Sequence, residues 1–391
     1  MLSAVSNIAD LDQLALTQEE AQYLEEACGF LGRPYLDFLA TFRLNPCEHV
    51  TATFKPITDT GGEEDLGDVE IVVRGPWVDV VLFEIPLLAL TSEAYFRFVD
   101  TDWTHDGQEE KAYAKGMRLF KAGCVMSEYG TRRRRDFHTH QLVVRGLLRA
   151  RAAAEELGCS GKLSGTSNVH LARVFGLTPK GTVGHEWFMG IAALTGDYRT
   201  ATTEALACWL GCFGDGIWKI TPTDTFGTPF FLDSLRQPVP QNLLKGNPRT
   251  FANAFIGVRQ DSGNPVKFIQ TMRAFYDQEG INETKTLVFS DSLNVESCLT
   301  YKRVAEEAGF ETAFGIGTDL TNNFTAKSNG QRSPPLNVVM KLKSANGNAA
   351  VKLSDVVGKH SGDRDVIQKV KKEVRYQDIE WTDGDESKRW R

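Results

Sequence analysis

Residues able to carry charge, protons or lone pairs are concentrated in a few short segments of this 391-residue chain. His185 stands between Gly181-Thr182-Val183-Gly184 and a helix-like EWFMGIAAL stretch, beside Glu186. A lone histidine is most often structural, but at a strand end beside a carboxylate it is placed for proton transfer or nucleophilic work. Arg259 and Asp261 alternate in GVRQDSGNP. Residues i and i+2 of an extended segment share a face, so a cation and a carboxylate would aim at one pocket. That pair suits a phosphorylated sugar whose ring gains positive charge; an ion pair at the start of the next helix is the plainer alternative. Gly315-Ile316-Gly317-Thr318 and Gly165-Thr166-Ser167-Asn168 each follow an apolar run. Such loops let backbone N–H groups approach a phosphate, or simply turn the chain and cap a helix. Arg132 to Arg135 form the strongest basic run. It reads as a solvated face, as a localisation or nucleic-acid patch, or as arginines turned inward on an anion. His138 and His140 have only Asp136 nearby and read as a surface loop, and Cys208 and Cys212 read as core. With no second pair to complete a zinc site, no residue is assigned as a metal ligand.

The elements that must position these groups change character along the chain. Residues 1–45 read as helical, with Thr17 capping an acidic first turn. Residues 49–54, 69–74 and 78–84 read as strands, the last two joined by a turn at Gly75-Pro76-Trp77. From about residue 120, short apolar runs at 122–126, 162–164, 181–184, 218–221, 254–258, 286–289, 312–316 and 336–342 alternate with amphipathic stretches. Strand–helix alternation implies a parallel sheet, and eight runs favour a closed barrel. Ser, Thr, Asp and Arg follow most of the runs, Ser290-Asp291-Ser292 and Thr223-Asp224-Thr225 among them. In a βα barrel that end of the strands holds the active site, so the loops together suggest a site for phosphate and hydroxyl groups. The expected architecture is α/β: an irregular βα barrel with an α+β domain built from the N- and C-terminal parts. The expected partition is 1–118, 119–345 and a segment 346–391 packing back on the N-terminal domain.

Composition narrows the function classes. A chain 41% hydrophobic and 24% charged has ordinary globular usage, which excludes general disorder. A net charge of −7 argues against broad affinity for nucleic acid or anionic membrane. Seven scattered cysteines do not suggest a disulfide framework, and no apolar run approaches the ~20 residues of a membrane span. With a poor leader sequence at its start, the chain is expected in the cytoplasm, with the nucleus as a second compartment.

Longer blocks add a resemblance. EIPLLALTSEAYFRFVDTDW, EYGTRRRRDF, GTSNVHLARVFGLTPKGTVGHEW, TDTFGT, GVRQDSGNPVKF, VFSDSLNVE, FGIGTDLTNNF and PLNVVMKL, in this order, closely resemble the nicotinate phosphoribosyltransferase family. The resemblance implies ATP-dependent formation of nicotinate mononucleotide and diphosphate from nicotinate and phosphoribosyl diphosphate, in NAD salvage. ATP and Mg²⁺ are the implied cofactors and a homodimer the implied assembly. By this resemblance His185 is the histidine that ATP phosphorylates, and Asp261 a carboxylate beside the ribose. Thr182 and Arg259 contact nicotinate, Tyr129 stacks on its ring, Arg132 belongs to an anion site, and Thr318 contacts the phosphoribosyl group. Ser167, Asp291 and Gly317, from the strand-end loops, complete the expected substrate-binding set. One departure stands out: no Asp-x-Tyr-Lys motif precedes Leu11. The chain is therefore expected to lack the family's N-terminal segment. That carries the alternative of a catalytically impaired, truncated homologue acting as a binding or regulatory protein.

Overall fold

A computed structural model describes residues 8–60, 62, 65–214, 219–243, 247–356 and 359–378. The chain divides into two compact units that interleave along the sequence. The first comprises Met1–Thr104, Thr131–His140 and Phe324–Met340; the second comprises His105–Gly130, Gln141–Asn323 and Lys341–Arg391. The contacts thus draw a different division from the expected one at residues 118 and 345. In particular, the segment after Met340 belongs with the parallel sheet and not with the N-terminal domain. The reason is packing: Ala350 joins Met189 and Ala193 in one apolar cluster, and Asn348 donates its amide to the Ala193 carbonyl.

The first unit opens with helices α1 (Gln18–Ala27) and α2 (Arg33–Thr41). Thr17 caps α1 as its sequence suggests: its hydroxyl accepts from the Glu20 N–H, and the Glu20 carboxylate accepts from the Thr17 N–H. Strands β1 (Val50–Pro56) and β2 (Gly67–Val73) pair antiparallel, from Val50 opposite Val73 to Pro56 opposite Gly67. The expected strand at 78–84 is instead helical. Single turns at Trp77–Val80 and Val81–Phe83 lead into α3 (Glu84–Phe98). Val80, Phe83, Leu87 and Leu90 recur at helical spacing and meet Val50, Ile71 and Val73 of the hairpin in one core. That shared apolar face outweighs the β-propensity of the valines. Arg135, fully buried, lies over the rings of Phe96 (3.6 Å) and Phe324 (4.2 Å) and donates to Ser333 Oγ (3.0 Å). His140 is buried near the start of a helix, not in a surface loop.

The second unit holds α4 (Gln108–Lys121), β3 (Val125–Glu128) and α5 (Phe137–Glu156, part of this unit from Gln141). There follow β4 (Lys162–Thr166), α6 (Val169–Phe175), α7 (His185–Thr195), α8 (Ala201–Phe213), β5 (Ile220–Pro222) and α9 (Thr228–Leu235). β6 (Gly257–Gln260), α10 (Pro265–Gln278), β7 (Thr286–Phe289), α11 (Val295–Glu307) and β8 (Glu311–Ile316) come next, and α12 (Arg364–Glu373) is last. Six strands form one all-parallel sheet in the order β4-β3-β8-β7-β6-β5. Parallel strands need helical crossovers, which cover both faces with apolar side chains. Met126, Leu287, Phe289, Phe314 and Ile316 are accordingly buried.

The expected fold class holds, but six strands replace the eight counted in sequence. Residues 336–342 form no strand. Segment 177–184 runs beside β4 with a single parallel bridge, Thr166 to Pro179, framed by Thr166 N–H to Thr178 O and Lys180 N–H to Thr166 O. It lies at the edge of β4 without forming a ladder. Trp218, at the head of the run at 218–221, lies outside the described residues. Cys208 and Cys212, expected in the core, are exposed on α8, and all seven cysteines are free thiols. No described helix is long and apolar enough to cross a membrane.

Candidate functional site

The C-terminal ends of β5 and β6, the N-terminus of α7 and residues 350–355 bring a charged cluster together within the second unit. Arg259 is the third residue of β6 and Asp261 follows the strand, so the two share a face, with Arg259 Nη2 3.6 Å from Asp261 Oδ2. Arg259 also donates to Thr182 Oγ1, to the Val183 carbonyl (3.3 Å) and to His185 Nδ1 (3.2 Å). His185 is the first residue of α7. Its Nε2 lies 2.7 Å from Asp224 Oδ1 and 3.5 Å from Asp261 Oδ2. Asp224, directly beyond β5, is nearly inaccessible; its Oδ2 accepts from Ser262 Oγ (2.6 Å) and from Lys352 Nζ (2.9 Å). Asp261 Oδ1 accepts from Ser290 Oγ, beyond β7.

These partners fix the imidazole tautomer. A guanidinium only donates, so Nδ1 must accept from Arg259, and the proton therefore sits on Nε2, where an ionised Asp224 accepts it. Burial and, after it, Lys352 push the His185 pKa down, against the pull of Asp224 and Asp261. Burial opposes the ionisation of Asp224, but Lys352, His185 and Ser262 outweigh it and hold the carboxyl well below its usual range. Asp261 is depressed likewise, with Arg259 the strongest neighbour acting against burial. The ring is thus neutral, with its Nδ1 lone pair directed at the Arg259 guanidinium and two carboxylates beside Nε2.

His185, Asp224 and Asp261 offer donor atoms within 4.8 Å of one another, a spacing that a cation could use. Lys352 and Arg259 already hold these carboxylates. Mg²⁺ prefers oxygen ligands and keeps several waters, so the cluster does not fit a directly ligated Mg²⁺.

The remaining expected residues are spread around the sheet ends. The Tyr129 N–H donates to the Ile316 carbonyl, and its ring lies against Gly315, where an added Cβ would come within 2.6 Å of Cδ2 and Cε2. Gly315 therefore makes room for an aromatic ring, a role that the reading of GxGT as a phosphate loop did not include. Burial raises the Tyr129 pKa, and the Arg259 guanidinium opposes that rise. Gly317 and Thr318 begin the single turn Thr318–Thr321, with Gly317 tight against the Tyr129 carbonyl. Glu128, buried at the end of β3, accepts from Thr166 Oγ1 (2.6 Å) and from the Gly130 N–H, locking the β3 and β4 ends together. Ser167 is exposed; its N–H donates to the Glu128 carbonyl, and neighbouring Asn168 caps α6. Asp291 and Ser292 adopt left-handed φ of 70° and 52°, and Asp291 pairs with Lys359 at 3.0 Å. Arg132 lies in the first unit, paired with Glu84. The structure therefore joins His185, Asp261, Thr182 and Arg259 directly, and places Tyr129, Ser167, Asp291, Gly317 and Thr318 at the ends of β3, β4, β7 and β8.

Sequence reasoning missed two members of the cluster. Asp224 was visible as the carboxylate of a strand-end Thr-Asp-Thr, the signal that singled out other loops. Lys352 comes from a segment with no such motif, 128 residues further along the chain.

A parallel α/β sheet with a neutral histidine, paired carboxylates and a guanidinium at its strand ends carries groups suited to group transfer. The sequence comparisons define it more closely. The model of the nicotinate phosphoribosyltransferase (NAPRTase) family matches residues 124–378, and that of the family's N-terminal domain matches residues 4–92. The chain belongs to this family, which makes it a glycosyl-transferring enzyme of NAD biosynthesis. The "Probable nicotinate phosphoribosyltransferase" of Schizosaccharomyces pombe is 41% identical over 94% of this chain and 85% of its own. The nicotinate phosphoribosyltransferase of Saccharomyces cerevisiae is 40% identical over 97% and 90%. A crystal structure of a putative nicotinate phosphoribosyltransferase from Saccharomyces cerevisiae superposes with a TM-score of 0.88 at 39% identity, covering 96% of this chain and 87% of that one. The match over residues 4–92 corrects the expectation that the family's N-terminal segment is lacking, and the truncated-homologue alternative loses its premise.

Proposed function

We propose that the chain joins nicotinate to the ribosyl group of phosphoribosyl diphosphate, releasing diphosphate, and couples this to ATP hydrolysis through a phosphohistidine at His185. The observation that carries the coupling is the tautomer: Nε2–H bound to Asp224 leaves the Nδ1 lone pair directed away from the carboxylates. That lone pair attacks the γ-phosphorus of ATP as the bond to the ADP oxygen breaks, and the Asp224 carboxylate stabilises the charge gained by the ring. Water later cleaves the P–N bond. Arg259, already 3.2 Å from Nδ1, supplies N–H groups to the incoming phosphoryl oxygens.

In the transfer half, the nicotinate ring nitrogen attacks the anomeric carbon as the diphosphate oxygen leaves. The ribose passes through a cationic state, as glycosides do. Asp261, held ionised and oriented by Ser290, is the carboxylate able to stabilise it. Arg259 and Thr182 present a donor pair suited to a carboxylate, which selects nicotinate over an uncharged amide. Mg²⁺, when bound, supplies positive charge on the phosphate oxygens of the substrates themselves. A hundredfold gain in substrate affinity on phosphorylation would need about 2.7 kcal/mol of coupling, well within the reach of ATP hydrolysis.

A homodimer and a cytoplasmic location, with the nucleus as a second compartment, belong to the same proposal. The purified chain with nicotinate, phosphoribosyl diphosphate and Mg-ATP should form mononucleotide with stimulated release of ADP. Binding of all three substrates without mononucleotide would refute the proposal.

A further inference from the structure

Within the cluster, the chemistry above leaves one buried cation without a role. Lys352 is 5% exposed, and its Nζ lies 2.9 Å from Oδ2 of Asp224, whose side chain is 1% exposed. The backbone holds it there. Lys352 and Ser361 exchange both N–H to carbonyl bonds, and the next residue, Leu353, donates its N–H to the carbonyl of Thr225, the neighbour of Asp224. Residues 352 and 353 are thus tied to the β5 loop at the point that delivers the ammonium group. Burying a lysine is costly unless it is paired, and a buried pair is weak evidence for stability on its own.

We propose that Lys352 is a positioning residue for His185, saturating one oxygen of Asp224 so that the other accepts Nε2–H while the imidazole stays neutral and Nδ1 keeps its lone pair. The inference rests on the reading of His185 as phosphoryl acceptor. The charged groups around the ring are Asp224, Asp261, Arg259 and Lys352, and Asp355, raised to about 6 by burial and Asp224, adjoins them. Without Lys352 the two carboxylates face a single guanidinium. The ring then takes up a proton, and the Nδ1 lone pair is lost. The direction of the His185 shift agrees: Lys352 is the strongest neighbouring charge disfavouring the imidazolium.

The test uses the full-length protein with ¹⁵N-labelled histidine. Imidazole shifts of His185 are followed against pH in the wild type, Lys352→Met and Lys352→Arg, with thermal unfolding recorded alongside. In Lys352→Met we expect the His185 titration to move up by about one unit or more, and the acidic limb of ATP-driven phosphorylation to move with it. That means a loss of rate that approaches tenfold on the acidic side of the titration and is recovered at higher pH. Lys352→Arg restores both. Lys352→Gln keeps a hydrogen-bond donor without the charge; it should behave as Met does, and replaces it if Met disrupts folding. An unchanged titration in a folded Met or Gln variant, or an activity loss equal at all pH values, would overturn the inference. The two readouts separate the claims. A wild type that shows the expected shifts but no phosphorylation by ATP would refute the proposed function and leave the positioning role standing.

Discussion

Arg259 donates to Nδ1 of His185 across 3.2 Å while its other terminal nitrogen donates to Thr182 Oγ1. One guanidinium thereby touches both the proposed phosphoryl acceptor and the proposed nicotinate-binding hydroxyl. Arg259→Lys keeps a charge but loses the fork. It should raise KM for nicotinate by about 30-fold or more, corresponding to about 2 kcal/mol, and raise KM for phosphoribosyl diphosphate much less. Steady-state kinetics with each substrate varied checks this, and equal effects on both would remove the carboxylate contact.

Gly315 gives the Tyr129 ring its place. A Cβ at that position would lie 2.6 Å from two ring carbons, so Gly315→Ala must displace the ring. Base–aromatic stacking is worth about 1–3 kcal/mol. KM for nicotinate should therefore rise by about tenfold, with little change in phosphoribosyl diphosphate binding. Titration calorimetry with each ligand separates the two effects.

The pH dependence of stability follows from the buried cluster. His185 binds its proton less tightly folded than unfolded, so its contribution is complete above its ordinary value and is lost as pH falls below it. Asp224 and Asp261 are depressed, so theirs is lost further down, as pH drops below the usual carboxylate range. With the opposing Asp355 titration removed by Asp355→Asn, urea midpoints should decline in two stages on acidification, and His185→Gln should remove the upper one.

Asp355 acts in the opposite sense. Burial, then repulsion from Asp224, raises it to about 6. Folding favours its protonated form, and that contribution fades as pH rises through about 6. Asp355→Asn should therefore stabilise the protein at pH 8 by an amount of order 1 kcal/mol, and by much less at pH 4. Denaturation curves at the two pH values read the difference.

Arg135 is a structural counterpart in the first unit. Arg135→Ala removes a guanidinium lying over Phe96 and Phe324 and facing Asp100 at 3.8 Å, and leaves the Ser333 hydroxyl bonded to Asp100. A loss of about 3–5 kcal/mol is expected, visible as a lowered unfolding midpoint.

Local geometry was more legible in the sequence than the contacts between distant segments. Arg259 and Asp261 were paired correctly because alternation on a strand is a strictly local rule. The Thr17 cap was readable for the same reason. Residues 78–84 were misread because β-branched residues matched a strand locally, while the spacing from Val80 to Leu90 answered to a tertiary face. Segment 177–184 meets β4 through a single bridge, and no local pattern encodes that. Lys352 was invisible since only the folded chain brings residues 352 and 353 to the end of β5. The run Arg132 to Arg135 looked uniform, but its members meet different partners: Glu84, the Val338 carbonyl, Glu93, and the Phe96–Phe324 pair.

The most direct test is ³¹P and ¹⁵N NMR of the protein after incubation with Mg-ATP. The account predicts one acid-labile phosphoramidate on Nδ1 of His185, absent in His185→Gln, whose ATP hydrolysis falls to background. Phosphate on Nε2, phosphate on another residue, or unchanged ATP hydrolysis in His185→Gln would contradict it.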